Sequence, residues 1–220
     1  LVSTPLADAV AANYGVEMRN VLTGFKWIGD QIAGLEAAGE VERFILGFEE
    51  SYGYLSRGYV RDKDGVNASM LICEMTAYYK ALGKDLITVL DDIYKKYGYC
   101  LCVQTSFACE GQSGMQRIKG IMESLRTDTP KEICGIPVVE VKDYKISEGV
   151  NLVTGEKEVI NLPKANVVSF TLEDTSTLIV RPSGTEPKIK IYVNAVGATE
   201  QEAFDKRDSL LKSGTTLLGF

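Results

Sequence analysis

The chain has 220 residues, 45% of them hydrophobic and 25% charged, with a net charge of −6 and a pI near 4.9. This is the composition of a globular protein long enough to bury a substantial core, as one large or two small domains. The acidic balance excludes a basic nucleic-acid footprint. The absence of histidine excludes a Cys/His zinc site and histidine acid–base chemistry. No run of 18 apolar residues and no signal peptide is present, so no membrane association is expected.

Residues 1–102 alternate between helical and strand patterns. Pro5–Asn13 reads as a helix with Thr4 at the N-cap and Pro5 in the first turn, and Val16–Leu22 as a short strand. After Thr23-Gly24, Phe25, Ile28, Ile32 and Leu35 recur at helical spacing. Arg43–Phe48 reads as a buried strand, and Asn67–Leu82 and Leu86–Tyr97 as two helices. Strands alternating with helices predict a parallel α/β sheet, which places ligands at the carboxyl ends of its strands. Thr23–Lys26 and Glu49–Ser51 each follow a predicted strand.

The character changes from residue 103. Tyr99–Gly111 is β-like. Gln112–Arg126 is an amphipathic helix with Met115, Ile118, Met122 and Leu125 on one face. Strands follow over Ile136–Lys145, Asn166–Leu172, Thr177–Val180 and Ile189–Ala195, with Glu173–Ser176 as a hairpin connection. Thr199-Glu200-Gln201-Glu202 forms a capping box for a last helix ending near Gly214. The expected fold class is thus α/β: a partial α/β/α parallel-sheet domain over 1–102, then an α+β domain with an antiparallel sheet and two helices over 103–220.

Five cysteines, Cys73, Cys100, Cys102, Cys109 and Cys134, form no C-x-x-C pair. Their odd number points to reduced thiols and an intracellular setting. The chain opens Leu1-Val2-Ser3-Thr4 without methionine, which reads as a cut through an apolar strand of a longer protein.

Three stretches carry chemistry. Arg181-Pro-Ser-Gly-Thr-Glu-Pro-Lys188 is a turn between two strands. Arg181 offers a planar fork of donors, Ser183 and Thr185 offer hydroxyls, and Gly184 admits backbone N–H groups close to an anion. Both a phosphate site and a plain turn with a surface arginine fit these residues. Glu49 and Ser51 suit vicinal sugar hydroxyls, or a solvated strand end. Thr23 and Lys26 suit a phosphate at a helix N-terminus, or an N-cap threonine and a surface cation. Asp62-Lys63-Asp64-Gly65 fails as a calcium loop, because Val66 and Asn67 stand where an Asp/Asn and a glycine are needed; a turn before a helix suffices.

Taken together, Arg181–Val193, Gly47-Phe-Glu-Glu-Ser-Tyr-Gly-Tyr54, Thr23-Gly-Phe-Lys-Trp-Ile-Gly29 and Arg61-Asp-Lys-Asp-Gly65 resemble, in order, four segments of the α-D-phosphohexomutases. The wording is nearest to the bacterial phosphoglucomutase/phosphomannomutase branch. The resemblance spans essentially the whole chain. It implies part of domain three and all of domain four of a four-domain cytoplasmic enzyme. Arg181, Ser183, Gly184 and Thr185 would bind the substrate phosphate, Glu49 and Ser51 the sugar, and Lys26 would add a substrate contact. The partners implied are a hexose phosphate and the missing N-terminal domains of the same polypeptide. The catalytic phosphoserine loop and the Mg2+ loop belong to domains one and two. No catalytic residue and no metal ligand is therefore expected here, and glucose 1,6-bisphosphate is the implied intermediate and activator. Some family members carry a histidine two places after the sugar-loop serine; that place is Gly53 here, so any acid–base role of that histidine does not transfer. A phosphopentomutase of the same family and a standalone anion-binding module are the alternative readings.

Overall fold

A computed structural model describes residues 1–220. The chain divides into two compact units, Leu1–Ser3 with Ala7–Tyr97 and Thr4–Leu6 with Gly98–Phe220. The boundary expected after residue 102 falls inside a strand, Tyr99–Ala108, that runs unbroken.

The first unit contains helices α1 (Leu6–Asn13) and α2 (Phe25–Ala37), strands β1 (Leu46–Phe48) and β2 (Tyr54–Ser56), and helices α3 (Gly65–Ala81) and α4 (Leu86–Tyr97). Phe25, Ile32 and Leu55 form a small core, with Ile28, Val41 and Phe44 packed against it. Of the helical stripe read from Phe25, Ile28, Ile32 and Leu35, the first three thus pack with Leu55 of the β1–β2 hairpin, and Leu35 is buried as well. Close packing there depends on missing side chains. A Cβ at Gly47 would stand 2.6 Å from Ile28 Cγ2, and one at Gly58 3.0 Å from Ile32 Cγ2.

The strands of this unit form one antiparallel pair, Leu46↔Ser56 to Phe48↔Tyr54, in place of the parallel sheet expected over 1–102. Val16–Leu22 forms no strand, and of Arg43–Phe48 only the last three residues pair, Val41–Arg43 turning as a 3-10 helix. A β-prone run becomes a strand only where a neighbour completes its hydrogen-bond ladder, and these residues meet none. No residue of α3 or α4 is buried. Val66, Met70, Ile72, Met75 and Tyr78 on α3, and Ile87 and Leu90 on α4, stand exposed. Helices carrying this much apolar surface on several sides are built to be enclosed.

The second unit contains β3 (Tyr99–Ala108), α5 (Gly111–Thr127), β4 (Glu132–Ile133), β5 (Ile136–Asp143), β6 (Glu148–Asn151), β7 (Lys157–Val159), β8 (Val168–Leu172), β9 (Thr177–Pro182), β10 (Lys188–Gly197) and α6 (Glu200–Leu217). The strands form an antiparallel sheet in the order β3-β10-β9-β8-β5-β6-β7, with β4 paired to β5. Alternation sorts the faces. Ile189, Ile191 and Val193 of β10 are fully buried and share a core with Met122 and Leu125 of α5 and Leu210 of α6. Each such side chain contributes about 1.5–3 kcal/mol on burial. Lys190, Tyr192 and Asn194 point to the other face.

Two helical expectations change. Met115, read as part of the apolar face of α5, is 66% exposed. The last helix continues past Gly214 to Leu217. Gly214 is a packing glycine: a Cβ there would stand 2.6 Å from Leu178 Cδ1, and the left-handed residue after the helix is Gly219, at φ 72°. The Thr199 cap is present, its hydroxyl accepting from Glu202 N at 3.2 Å. A buried ion pair ties α5 to β5: Arg126 Nε donates to Asp143 Oδ2 at 2.9 Å, and the same guanidinium reaches Asn166 Oδ1 at 2.8 Å.

Candidate functional site

In the second unit, β9 and β10 pair with Arg181 opposite Lys190 and Pro182 opposite Ile189. The connecting loop is held by its backbone. Ser183 N donates to Lys188 O at 2.8 Å, and Cys109 N, at the end of β3, donates to Pro187 O at 2.8 Å. Ser183 Oγ accepts from Thr185 N at 3.4 Å and Glu186 N at 3.3 Å, which leaves its hydroxyl hydrogen to donate outward. Lys188 pairs with Glu186 at 2.9 Å, and the hydrogen bond from Lys188 holds the Glu186 carboxyl below its ordinary range. That pairing occupies one cation. Arg181, Lys190 and the Thr185 hydroxyl make no hydrogen bond or ion pair within the chain. Gly184 is exposed, and a Cβ there would meet nothing within 4 Å. The protein itself does not demand a glycine at that point; the open space lies beside the free donors. The arrangement is a fixed turn with an unspent guanidinium, an unspent ammonium and two hydroxyls, the donor set an anion requires.

In the first unit, the loop between β1 and β2 holds Glu49 and Ser51. Glu49 N donates to Gly53 O at 2.9 Å, and Tyr52 takes a left-handed φ of 66° to make the turn. Gly53 is buried where three groups meet. A Cβ there would stand 2.9 Å from Lys63 Cδ, 3.0 Å from Glu49 Oε2 and 3.4 Å from Phe25 Cδ2. Phe25 opens α2, so the Thr23–Lys26 segment and the Glu49–Ser51 loop are brought together. Neither the Glu49 carboxylate nor the Ser51 hydroxyl is spent on a partner within the chain.

Thr23 does not cap α2. The N-cap is Gly24, at φ 118°, with no side-chain hydrogen bond, and Thr23 Oγ1 is buried without a partner. The first N–H groups of α2 thus lack the usual side-chain acceptor. Lys26 is exposed, its Nζ 4.6 Å from the Trp27 ring centre.

Sequence reasoning missed Lys63. Its stem packs at Gly53 beside Glu49, and its Nζ lies 5.8 Å from the centre of the Phe25 ring and 3.1 Å from Asp62 Oδ1. Its segment fails as a calcium loop, reads as a turn before a helix and counts among the four family-like stretches, but none of these readings gives Lys63 itself a role. Asp64 instead caps α3, accepting from Val66 N at 2.8 Å and Asn67 N at 3.0 Å. The available signal was Gly53 itself, the place in the loop where a side chain is missing.

Two domain descriptions match this chain: phosphoglucomutase/phosphomannomutase, alpha/beta/alpha domain III, over residues 1–97, and phosphoglucomutase/phosphomannomutase, C-terminal domain, over residues 128–207. The chain belongs to the phosphoglucomutase/phosphomannomutase family. Within it, the chain is 39% identical over 194 residues to a phosphoglucomutase of Staphylococcus epidermidis, matching 88% of this chain and 35% of that protein. A Staphylococcus aureus phosphoglucomutase is 40% identical over 194 residues, again 88% of this chain and 34% of the relative. The chain therefore spans about a third of the length of the curated relatives it matches. Among solved structures, the open form of the exocytosis-sensitive phosphoprotein pp63/parafusin from Paramecium, described as a phosphoglucomutase, superposes with a TM-score of 0.67 at 19% identity. It covers 99% of this chain and 36% of that one, and it supports the mixed α/β fold with an antiparallel sheet. This stretch of the family chain holds no group of three or more His, Cys, Asp or Glu suited to a metal ion. The Mg2+ implied by the resemblance finds no ligand set among these residues. No helix is long and apolar enough to cross a membrane.

Proposed function

We propose that this chain is the substrate-holding C-terminal part of a cytoplasmic mutase that interconverts hexose 1-phosphate and hexose 6-phosphate. The observation that carries the reading is the Arg181 loop: a backbone-tied turn whose guanidinium has no partner in the chain, while the neighbouring Lys188 is already paired. A free, pre-positioned guanidinium holds a phosphate bidentately, and charge-assisted bonds contribute about 1.5–3 kcal/mol each. Ser183, Thr185 and the backbone at Gly184 complete the phosphate contacts. Lys190, across the ladder from Arg181, adds a second cation. Glu49 and Ser51 accept from and donate to sugar hydroxyls, Lys63 adds a cation beside Glu49, and Lys26 stands at the uncapped start of α2.

In the complete enzyme of this reading, a phosphoserine gives its phosphoryl group to the free hydroxyl of the hexose phosphate. The bisphosphate so formed reorients and returns its other phosphoryl group to the serine. Magnesium, when bound, would supply charge neutralisation, and no residue of this chain would hold it. The residues here position the sugar and grip the phosphate that is not being transferred, and positioning of this kind carries much of the catalysis of phosphoryl transfer. The exposed apolar side chains of α3 and α4 are the surface that the remainder of the α/β/α domain would cover.

A coupled assay on the complete polypeptide tests the reading. Glucose 1-phosphate is expected to give glucose 6-phosphate, with kcat/KM reduced roughly 100-fold in Arg181→Ala, the loss of about 3 kcal/mol of phosphate contact. Residues 1–220 alone are expected to show no turnover. Preference for ribose phosphates over hexose phosphates would replace the reading with a phosphopentomutase. Full activity of Arg181→Ala would remove the loop from the site.

A further inference from the structure

Of the chain's glycines, Gly114 has the closest neighbour. A Cβ there would stand 2.0 Å from Cys109 O, 2.2 Å from Cys109 C and 3.0 Å from Cys109 Cα. All three atoms are backbone, so no flexible side chain can swing aside. Gly114 is buried near the start of α5, and Cys109 is 5% exposed at the end of β3. Gly111, at φ 71°, turns the chain from the strand into the helix, and Gly114 then seats the helix against the carbonyl just passed.

The same Cys109 holds the Arg181 loop. Its N–H donates to Pro187 O at 2.8 Å. One residue earlier, Ala108 pairs with Lys188, where the loop enters β10. One end of Cys109 thus anchors the loop while the other abuts α5, and a shift of its carbonyl carries its N–H along. The two sides of this contact are not equally free to move. Met122 and Leu125 fix α5 in the core, and Arg126 ties it to Asp143. β3 is an edge strand, paired only with β10. Real Cβ atoms do not approach such neighbours closer than about 3.0 Å, so a side chain at 114 displaces Cys109 by about 1 Å, and Pro187 is bonded to what moves.

We propose that Gly114 is a positioning residue of the phosphate loop: by letting α5 close on the Cys109 carbonyl, it fixes the N–H that holds Pro187 and so sets where Arg181, Ser183 and Thr185 stand. The inference rests on the proposed role of that loop in gripping the substrate's phosphate. Gly114 touches no substrate and acts only through Cys109 and Pro187. The gripped phosphate is not the one transferred, so its contacts are alike in ground and transition states. Their loss raises KM and leaves kcat nearly unchanged. Loss of folded protein does the reverse, lowering the apparent kcat at constant KM.

The test is steady-state kinetics of the complete polypeptide with glucose 1-phosphate, beside urea unfolding of each variant. Gly114→Ala is expected to raise KM about 100-fold, the cost of a misplacement of about 1 Å. Gly120→Ala makes the same change on the same helix, where a Cβ meets nothing within 4 Å, and keeps the wild-type KM. Cys109→Pro removes the N–H and leaves the Gly114 contact open; Ala108 before it is already extended, as proline requires. Its KM is expected about tenfold above that of Cys109→Ala, which keeps the N–H. This second pair decides the matter even where Gly114→Ala does not fold. Wild-type KM in folded Gly114→Ala, a fall in kcat alone, or equal KM in Cys109→Pro and Cys109→Ala would overturn the inference. Arg181→Ala is measured beside them. A raised KM there with wild-type KM in Gly114→Ala removes the positioning role alone; wild-type KM in Arg181→Ala removes the phosphate loop and this inference with it.

Discussion

Gly53→Ala puts a methyl group at the one point of the β1–β2 loop where three side chains already meet. The added Cβ would stand 2.9 Å from Lys63 Cδ and 3.0 Å from Glu49 Oε2, both inside normal contact, and 3.4 Å from Phe25 Cδ2. The first two are ends of flexible side chains and move; the buried Phe25 ring, only marginally crowded, stays. Gly53 is not among the glycines held at positive φ, so the backbone accepts alanine. Stability is therefore expected to change by less than about 1 kcal/mol, since the reduced freedom of the unfolded chain offsets part of the crowding by about 0.4–1 kcal/mol. Function is expected to change much more. Displacing the Glu49 carboxylate forfeits at least one charge-assisted bond to a sugar hydroxyl, about 1.5–3 kcal/mol, or roughly 10- to 150-fold in kcat/KM. The assay is kcat/KM for glucose 1-phosphate with the complete enzyme, beside urea unfolding of the same protein. Unchanged kcat/KM with unchanged stability would refute the reasoning, because the two displaced side chains would then have no contact with substrate.

Other substitutions test the second unit. Arg126→Leu leaves Asp143 buried without its partner, with both side chains of the native pair under 15% exposed; urea unfolding should show a loss of about 3 kcal/mol, as for a buried pair deprived of one member. Asp174 reports on pH. Burial acts to raise its carboxyl, but the Lys206 ammonium 2.6 Å away and the backbone N–H of Ser176 outweigh it, and the net shift is downward. A carboxyl depressed in the folded state contributes its stability in full above its ordinary value and loses it as pH falls through the depressed one. The urea midpoint of the parent chain is accordingly expected to fall more steeply than that of Asp174→Asn below about pH 4, and parallel curves would show that the pair contributes nothing.

What the sequence made legible follows from which interactions are local. The helix at Phe25–Ala37 was readable because Phe25, Ile28, Ile32 and Leu35 lie on one stripe, whose first three members pack with Leu55 of the hairpin. The antiparallel strands of the second unit were readable from alternation and from the Glu173–Ser176 turn, for a hairpin's partner is the next piece of chain. Val16–Leu22 and the proposed parallel sheet were not, since a strand needs a neighbour that β propensity does not name. Gly214 looked like a helix stop because glycine usually ends helices; its reason is the side chain of Leu178, 36 residues away. At the site, Arg181, Ser183 and Thr185 were visible as a donor-rich turn, while the pairing of Lys188 with Glu186 that leaves Arg181 unspent required coordinates. Lys63 stayed hidden because its place beside Glu49 is set by the close approach at Gly53, and nothing in its own segment records that contact.

The central claim is that the Arg181 loop grips the substrate's phosphate. Calorimetric titration of the complete polypeptide with glucose 6-phosphate, wild type against Arg181→Ala, measures it directly. Loss of a bidentate guanidinium contact of about 3 kcal/mol predicts binding weakened by roughly 100-fold. Lys212→Ala, on α6, serves as the control and should bind as wild type does. Equal affinity for glucose 6-phosphate in the wild type and Arg181→Ala would contradict the claim.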